Sequence, residues 1–310
     1  MADLSCKYLS LELKSPLIIG NVSDIEQIKE YAKLGAAAII LKPLFEENIL
    51  DSKETILLIN ESISGITQNA KDYINLIREI KNAVSIPVFA SINCISADNW
   101  PLIIPFIEEA GADALELNVF IYPQDKDFRS DDYENVFLDI ITRSTYNAKI
   151  PVSLKIGPYF THLLNIVDQV FYRGIKGVEL FSRYYQPDID LETLELKASN
   201  LLSVVSDFNH TMHWTAIISS RVSKLDILAS ANINEGESAI KLLLSGANAI
   251  SLFSTPDYNL KTLLPMLLLE MNDWMDTKGF DKIEHIHGQA NYEHIKNTGQ
   301  YLRSEMLRIQ

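Results

Sequence analysis

Short, almost continuously apolar runs recur along the chain, each followed by a stretch of helical periodicity. The runs are Pro16–Gly20, Ala37–Lys42, Ile86–Asn93, Ala114–Val119, Pro151–Gly157, Gly177–Arg183, Leu225–Asn232 and Ala249–Ser254. A strand with one wet face alternates apolar and polar residues. A strand covered on both faces, by barrel interior and by helices, does not.

The intervening stretches read as helices: Asp24–Leu34, Asp72–Ala83, Asp98–Ala110, Asp131–Tyr146, Thr161–Tyr172, His213–Val222, Glu237–Leu244 and Leu260–Thr277. The first opens on Ser23-Asp24 and stops at Gly35, a side-chain cap at one end and a glycine at the other. The phrase Gly-Ala-x-Ala recurs at 35–38, 111–114 and 246–249, a helix stop followed by small residues where helix and strand pack closely. Eight β-to-α units with no linker between them predict an α/β fold, a single (β/α)8 TIM barrel domain over 1–310.

Three segments depart from the repeat. Residues 3–15 carry two short alternating segments joined at Ser10, which predicts an N-terminal β-hairpin before a barrel at 16–278 and a C-terminal extension at 279–310. Residues 45–70 and 184–210 are insertions after strands 2 and 6. Such insertions lie on the C-terminal face of a barrel, where active sites are built. Variable surface loops or a homodimer contact are the other readings. The acidic stretch Pro187–Glu192 within the second insertion is expected to cap a helix.

Composition narrows the function classes. Hydrophobic residues make up 47% of the chain, enough for a large core, and the net charge of −14 repels phosphate backbones and anionic lipid. Nucleic acid and membrane are therefore not expected as partners, and a small-molecule substrate is. No apolar run is long enough to span a bilayer, and Met1–Ser5 lacks the basic and apolar segments of a signal peptide. Cys6 and Cys94 are far apart and form no redox or metal motif, so a reduced, cytoplasmic protein is expected. The histidines show no ligand spacing, so no metal site is expected. Trp100, Trp214 and Trp274 lie on helical patterns and read as packing anchors.

Polar residues stand at the C-terminal ends of successive strands: Lys42, Asn93, Asn118 and Lys155. In a barrel these four would converge on one point. Together with the surrounding phrases Ile40-Leu41-Lys42, Ile86–Cys94, Gly111–Asn118, Ile150–Lys155 and Gly246–Ile250, they resemble the dihydroorotate dehydrogenase-like flavin barrels, including the flavin domain of dihydropyrimidine dehydrogenase. The resemblance covers residues 4–280 and is most specific over Gly111–Asn118 with Ile86–Cys94 before it. It implies FMN as cofactor and hydride transfer between a small pyrimidine-like heterocycle and the flavin. It also implies Lys42, Asn93 and Asn118 as catalytic residues. Gly20, Lys42, Asn118, Lys155, Ser182, Asn232 and Ser254 would hold the cofactor, with Lys155 facing the N1–C2=O edge of the flavin, where a cation stabilises the reduced anion.

Other positions differ from that pattern. Flavin phosphate is normally held on glycine turns after strands 7 and 8, where this chain has Asn232 and Phe253. Asn232 preserves such a turn only if its backbone is left-handed. Phe253 shares a strand face with Ser251; if that face points inward, the ring occupies phosphate space. The expected serine or cysteine base after Asn118 is missing from Val119–Pro123, where only Tyr122 can titrate. Cys94 is either a small buried residue or an acid–base group. Two functions beside the flavin enzyme stay open: a barrel that has lost flavin chemistry and serves as a structural or regulatory subunit, and one that handles a different small anion without flavin.

Overall fold

Each apolar run forms a strand, and all eight pair in parallel. The barrel strands are β1 (Leu17–Val22), β2 (Ala38–Leu41), β3 (Val88–Cys94), β4 (Ala114–Val119), β5 (Val152–Ile156), β6 (Gly177–Leu180), β7 (Asp226–Ser230) and β8 (Ala249–Phe253). In the computed structural model, which describes residues 2–50, 57–59, 62–122, 125–181, 187–198, 205–253 and 259–294, they pair in chain order and close through β8 on β1. The result is a closed barrel of 8 parallel strands with 8 helices.

The helices are α1 (Ile25–Leu34), α2 (Gln68–Ala83), α3 (Ile104–Glu109), α4 (Ser130–Asn147), α5 (Leu163–Tyr172), α6 (Val205–Arg221), α7 (Gly236–Ser245) and α8 (Leu260–Lys278). The caps act as the sequence predicts at α1: Asp24 accepts from Gln27 N–H at 2.8 Å, and Gly35 ends the helix at φ 113°. Three helices differ from expectation. Helix α2 starts at Gln68 rather than Asp72, because Thr67 caps it by accepting from Ala70 N–H at 3.1 Å. The stretch Asp98–Ala110 breaks into a 3-10 turn over Trp100–Ile103 and the short α3, with Pro101 and Pro105 near the start of each. Helix α6 begins at Val205 rather than His213. Its buried face there carries Thr211, a polar residue that interrupts the apolar helical period.

The second insertion is an antiparallel ribbon, Pro187–Ile189 against Leu196–Ala198, not a helix entry. Asp190 accepts from the N–H groups of Glu192 and Thr193, so the acidic stretch makes a turn. The first insertion carries a second ribbon, Leu57–Ile59 against Ser62–Ser64.

The predicted N-terminal hairpin, Cys6–Tyr8 with Leu11–Leu13, closes the N-terminal end of the barrel. Tyr8, Leu9 and Leu13 pack with Ile18, Ala38, Phe89, Ala114, Leu228 and Ala249 in one cluster. That cluster identifies the inward face of each strand, since Leu17, Ile19, Leu115, Leu117, Ile250 and Leu252 belong instead to the outer core beneath the helices. Leu9 N–H is anchored 2.7 Å from Asp226 Oδ2. A Cβ at Gly177 would meet Leu9 Cδ2 at 2.7 Å and the Tyr8 ring at 3.1 Å, so the hairpin seats only because β6 begins on glycine. The segment after α8 returns to the N-terminus, where Asp3 N–H donates to Asp281 and Ile283 N–H donates to Asp3.

Candidate functional site

Alternation along each strand decides what enters the barrel. Above the apolar plug the inward positions turn polar: Ser91 and Asn93 on β3, Glu116 and Asn118 on β4, Ser153 and Lys155 on β5, Glu179 on β6 and Ser251 on β8. Register brings three of the predicted residues side by side, since Asn93 pairs with Asn118 and Asn118 with Lys155. Lys42 follows β2 at the same end. It is exposed and lines an open groove of about 540 Å³ with Ser23, Pro43 and the α2 residues Asn69, Asp72 and Asn75. Ser182 and Ser254 lie outside the described residues.

The next strand adds a group the sequence does not single out. Lys155 pairs in register with Glu179, and its Nζ lies 3.0 Å from Glu179 Oε1. The two side chains are only 11% and 1% exposed, so this is a desolvated ion pair. Glu116, also buried, accepts from Ser91 Oγ at 2.9 Å and lies within hydrogen-bonding reach of Glu179. Burial first, then the neighbouring Glu179 charge, pushes the Glu116 carboxyl well above its ordinary range, while Lys155 pulls the other way. Glu116 Oε2 and Glu179 Oε2 are both buried with no hydrogen-bond partner among the described residues. The sequence signal for this pair was a lone carboxylate inside each of two otherwise apolar strands.

Phe253 settles the face question. Its ring lies over the Lys155 ammonium, 4.2 Å from Nζ to centroid, on the inward face. Strand β8 adjoins β1 and lies across the barrel from β5, so the ring reaches over the mouth. Gly20 faces the same ring, since a Cβ there would meet Phe253 Cε1 at 3.5 Å and Ser251 Oγ at 3.4 Å. Asn232, just past β7, is not among the described residues with left-handed backbone, so it does not reproduce a glycine turn. The residues present do not fit FMN in the expected pose: an aromatic ring covers the ammonium meant for the flavin edge, and a carboxylate already binds it.

The mouth also holds an unmet acceptor. Asn118 Oδ1 is buried and has no hydrogen-bond partner among the described residues. Cys94 points away into the outer core, and burial pushes its thiol far up, which makes it a packing residue. Trp100 is buried, with its indole N–H 2.7 Å from Ser96 O, and Trp274 stacks on Phe280. Among the described residues no cluster of His, Cys, Asp and Glu is arranged to hold a metal, and no helix is long and apolar enough to cross a membrane.

No family model matches the chain. Curated proteins do. The catalytic subunit of dihydroorotate dehydrogenase B (NAD(+)) from Thermoplasma volcanium is 23% identical over 317 aligned positions, covering 94% of this chain and 99% of that protein. The corresponding subunit from Endomicrobium trichonymphae is 22% identical, covering 82% of this chain and 86% of the relative. Dihydroorotate dehydrogenase A (fumarate) from Limosilactobacillus reuteri is 23% identical over 71% of this chain and 72% of its own length. The chain is thus a closed TIM-type barrel of 8 parallel strands that is similar over most of its length, at low identity, to curated dihydroorotate dehydrogenases.

Proposed function

We propose that the barrel mouth is a small-heterocycle site related to that of the dihydroorotate dehydrogenase-like oxidoreductases, taking a planar, amide-bearing ring of pyrimidine size. The observation that carries this reading is the buried, unpartnered Oδ1 of Asn118, flanked in register by Asn93 and Lys155. A buried acceptor left bare costs about 1–3 kcal/mol, and a ring N–H removes that cost. Asn93 supplies both a donor and an acceptor beside it, so the strand ends complement an amide edge. The similarity to dihydroorotate dehydrogenases over most of the chain supports the same class of ligand.

A second reading, FMN-dependent hydride transfer with Lys42, Asn93 and Asn118 as catalytic residues, is favoured by those relatives. Against it stand Phe253 and Glu179, which occupy the positions around Lys155. Within the heterocycle reading these residues bind and orient. Calorimetric titration with orotate and with uracil tests it. Asn118→Leu is expected to weaken binding about tenfold, the worth of one hydrogen bond. Equal affinity of wild type and Asn118→Leu, or no binding by wild type, overturns it.

A further inference from the structure

The residues around the Lys155 ammonium are connected to one another. Glu179 is the register neighbour of Lys155 and binds its ammonium at 3.0 Å. Phe253, from across the barrel, covers the same ammonium at 4.2 Å. Gly20 lies against that ring, close enough that a Cβ there would be in van der Waals contact with Phe253 Cε1 at 3.5 Å. Behind Glu179 stand Glu116 and Ser91, tied by their own hydrogen bond. An apolar residue at position 179 would leave Lys155 as a buried cation seeking an anion. A small residue at position 253 would leave the ammonium open to the mouth.

We propose that Glu179 and Phe253 together form an internal plug that takes the place of the flavin ring, so that this barrel is closed to FMN by two residues acting on one lysine. Glu179 supplies the negative charge that the flavin N1–C2=O edge would bring to Lys155. Phe253 supplies the flat aromatic surface. The plug is self-sufficient: it satisfies Lys155 by charge and by ring, and leaves that ammonium uncommitted to any cofactor. This does not depend on the heterocycle reading, because its readout is FMN and not a pyrimidine.

The test is a flavin-fluorescence titration with FMN on the full chain. Wild type, Phe253→Ala, Glu179→Val and the double variant are compared, and thermal melts report folding. Wild type is expected not to bind, and the double variant to bind at least about a hundredfold more tightly, two tenfold steps for ring and charge. Glu179→Gln with Phe253→Ala is the second route if the valine variant does not fold, because the amide keeps a hydrogen bond to Lys155 without the charge. Stoichiometric binding by wild type overturns the proposal. So does a folded double variant, in either form, that binds no better than wild type, since the turns after β7 and β8 would then be the barrier.

Discussion

Lys155 Nζ and Glu179 Oε1 lie 3.0 Å apart on adjacent strands, almost wholly removed from solvent. A lysine expected to face a cofactor is instead neutralised by the protein itself. Breaking such a pair by truncating one partner strands the other charge, which costs about 3–5 kcal/mol. Lys155→Ala should therefore destabilise the chain by that amount in urea unfolding, whereas Lys155→Met combined with Glu179→Leu should cost far less. Equal losses for the single and double variants would mean the pair is not coupled.

The upward shift of the Glu116 carboxyl, caused first by burial, makes stability depend on pH. Its carboxyl is raised in the folded state, so the stabilisation is fully present below the unfolded carboxylate value and is lost as pH rises through the folded one. Glu116→Gln mimics the protonated form, accepting from Ser91 and donating toward Glu179. The variant should flatten the alkaline decline of unfolding free energy seen in wild type. A parallel decline in both proteins would remove Glu116 as its source.

Gly177 is where the hairpin enters the barrel floor. Because a Cβ there would lie 2.7 Å from Leu9 Cδ2, Gly177→Ala should cost about 1–3 kcal/mol through overpacking. Pairing it with Leu9→Ala should return part of the loss. A neutral Gly177→Ala in thermal melts would show that the hairpin does not seat as described.

Neither thiol should react in the folded protein. Burial pushes Cys6 up to about 12 and Cys94 well above its usual range, so neither forms thiolate near neutrality. Labelling with a thiol-specific disulfide reagent at pH 8 should be slow until denaturant is added. Rapid stoichiometric labelling of the native chain would contradict this.

The fold was legible because a parallel barrel writes itself as apolar runs with glycine stops, and the runs beginning at Ala114 and Gly177 start where their strands do. Strand-end residues were legible too, since the same alternation places Asn93, Asn118 and Lys155 on one face. The carboxylates were not. Glu116 sits within the phrase Gly111–Asn118 but reads as one charge among apolar neighbours, and its partner Glu179 is 63 positions away. Only register and closure reveal that the two meet. Helix α6 was predicted too short for a similar reason, because Thr211 is buried where periodicity expects an apolar side chain.

This barrel, similar over most of its length to dihydroorotate dehydrogenases, neutralises Lys155 with its own Glu179. The most direct measurement is the flavin content of the full-length chain, purified without added cofactor, then incubated with excess FMN, desalted and heat-denatured to release anything bound. The native protein is expected to show no flavin absorption, and the released fraction no stoichiometric FMN. A yellow protein that releases one FMN per chain would contradict it.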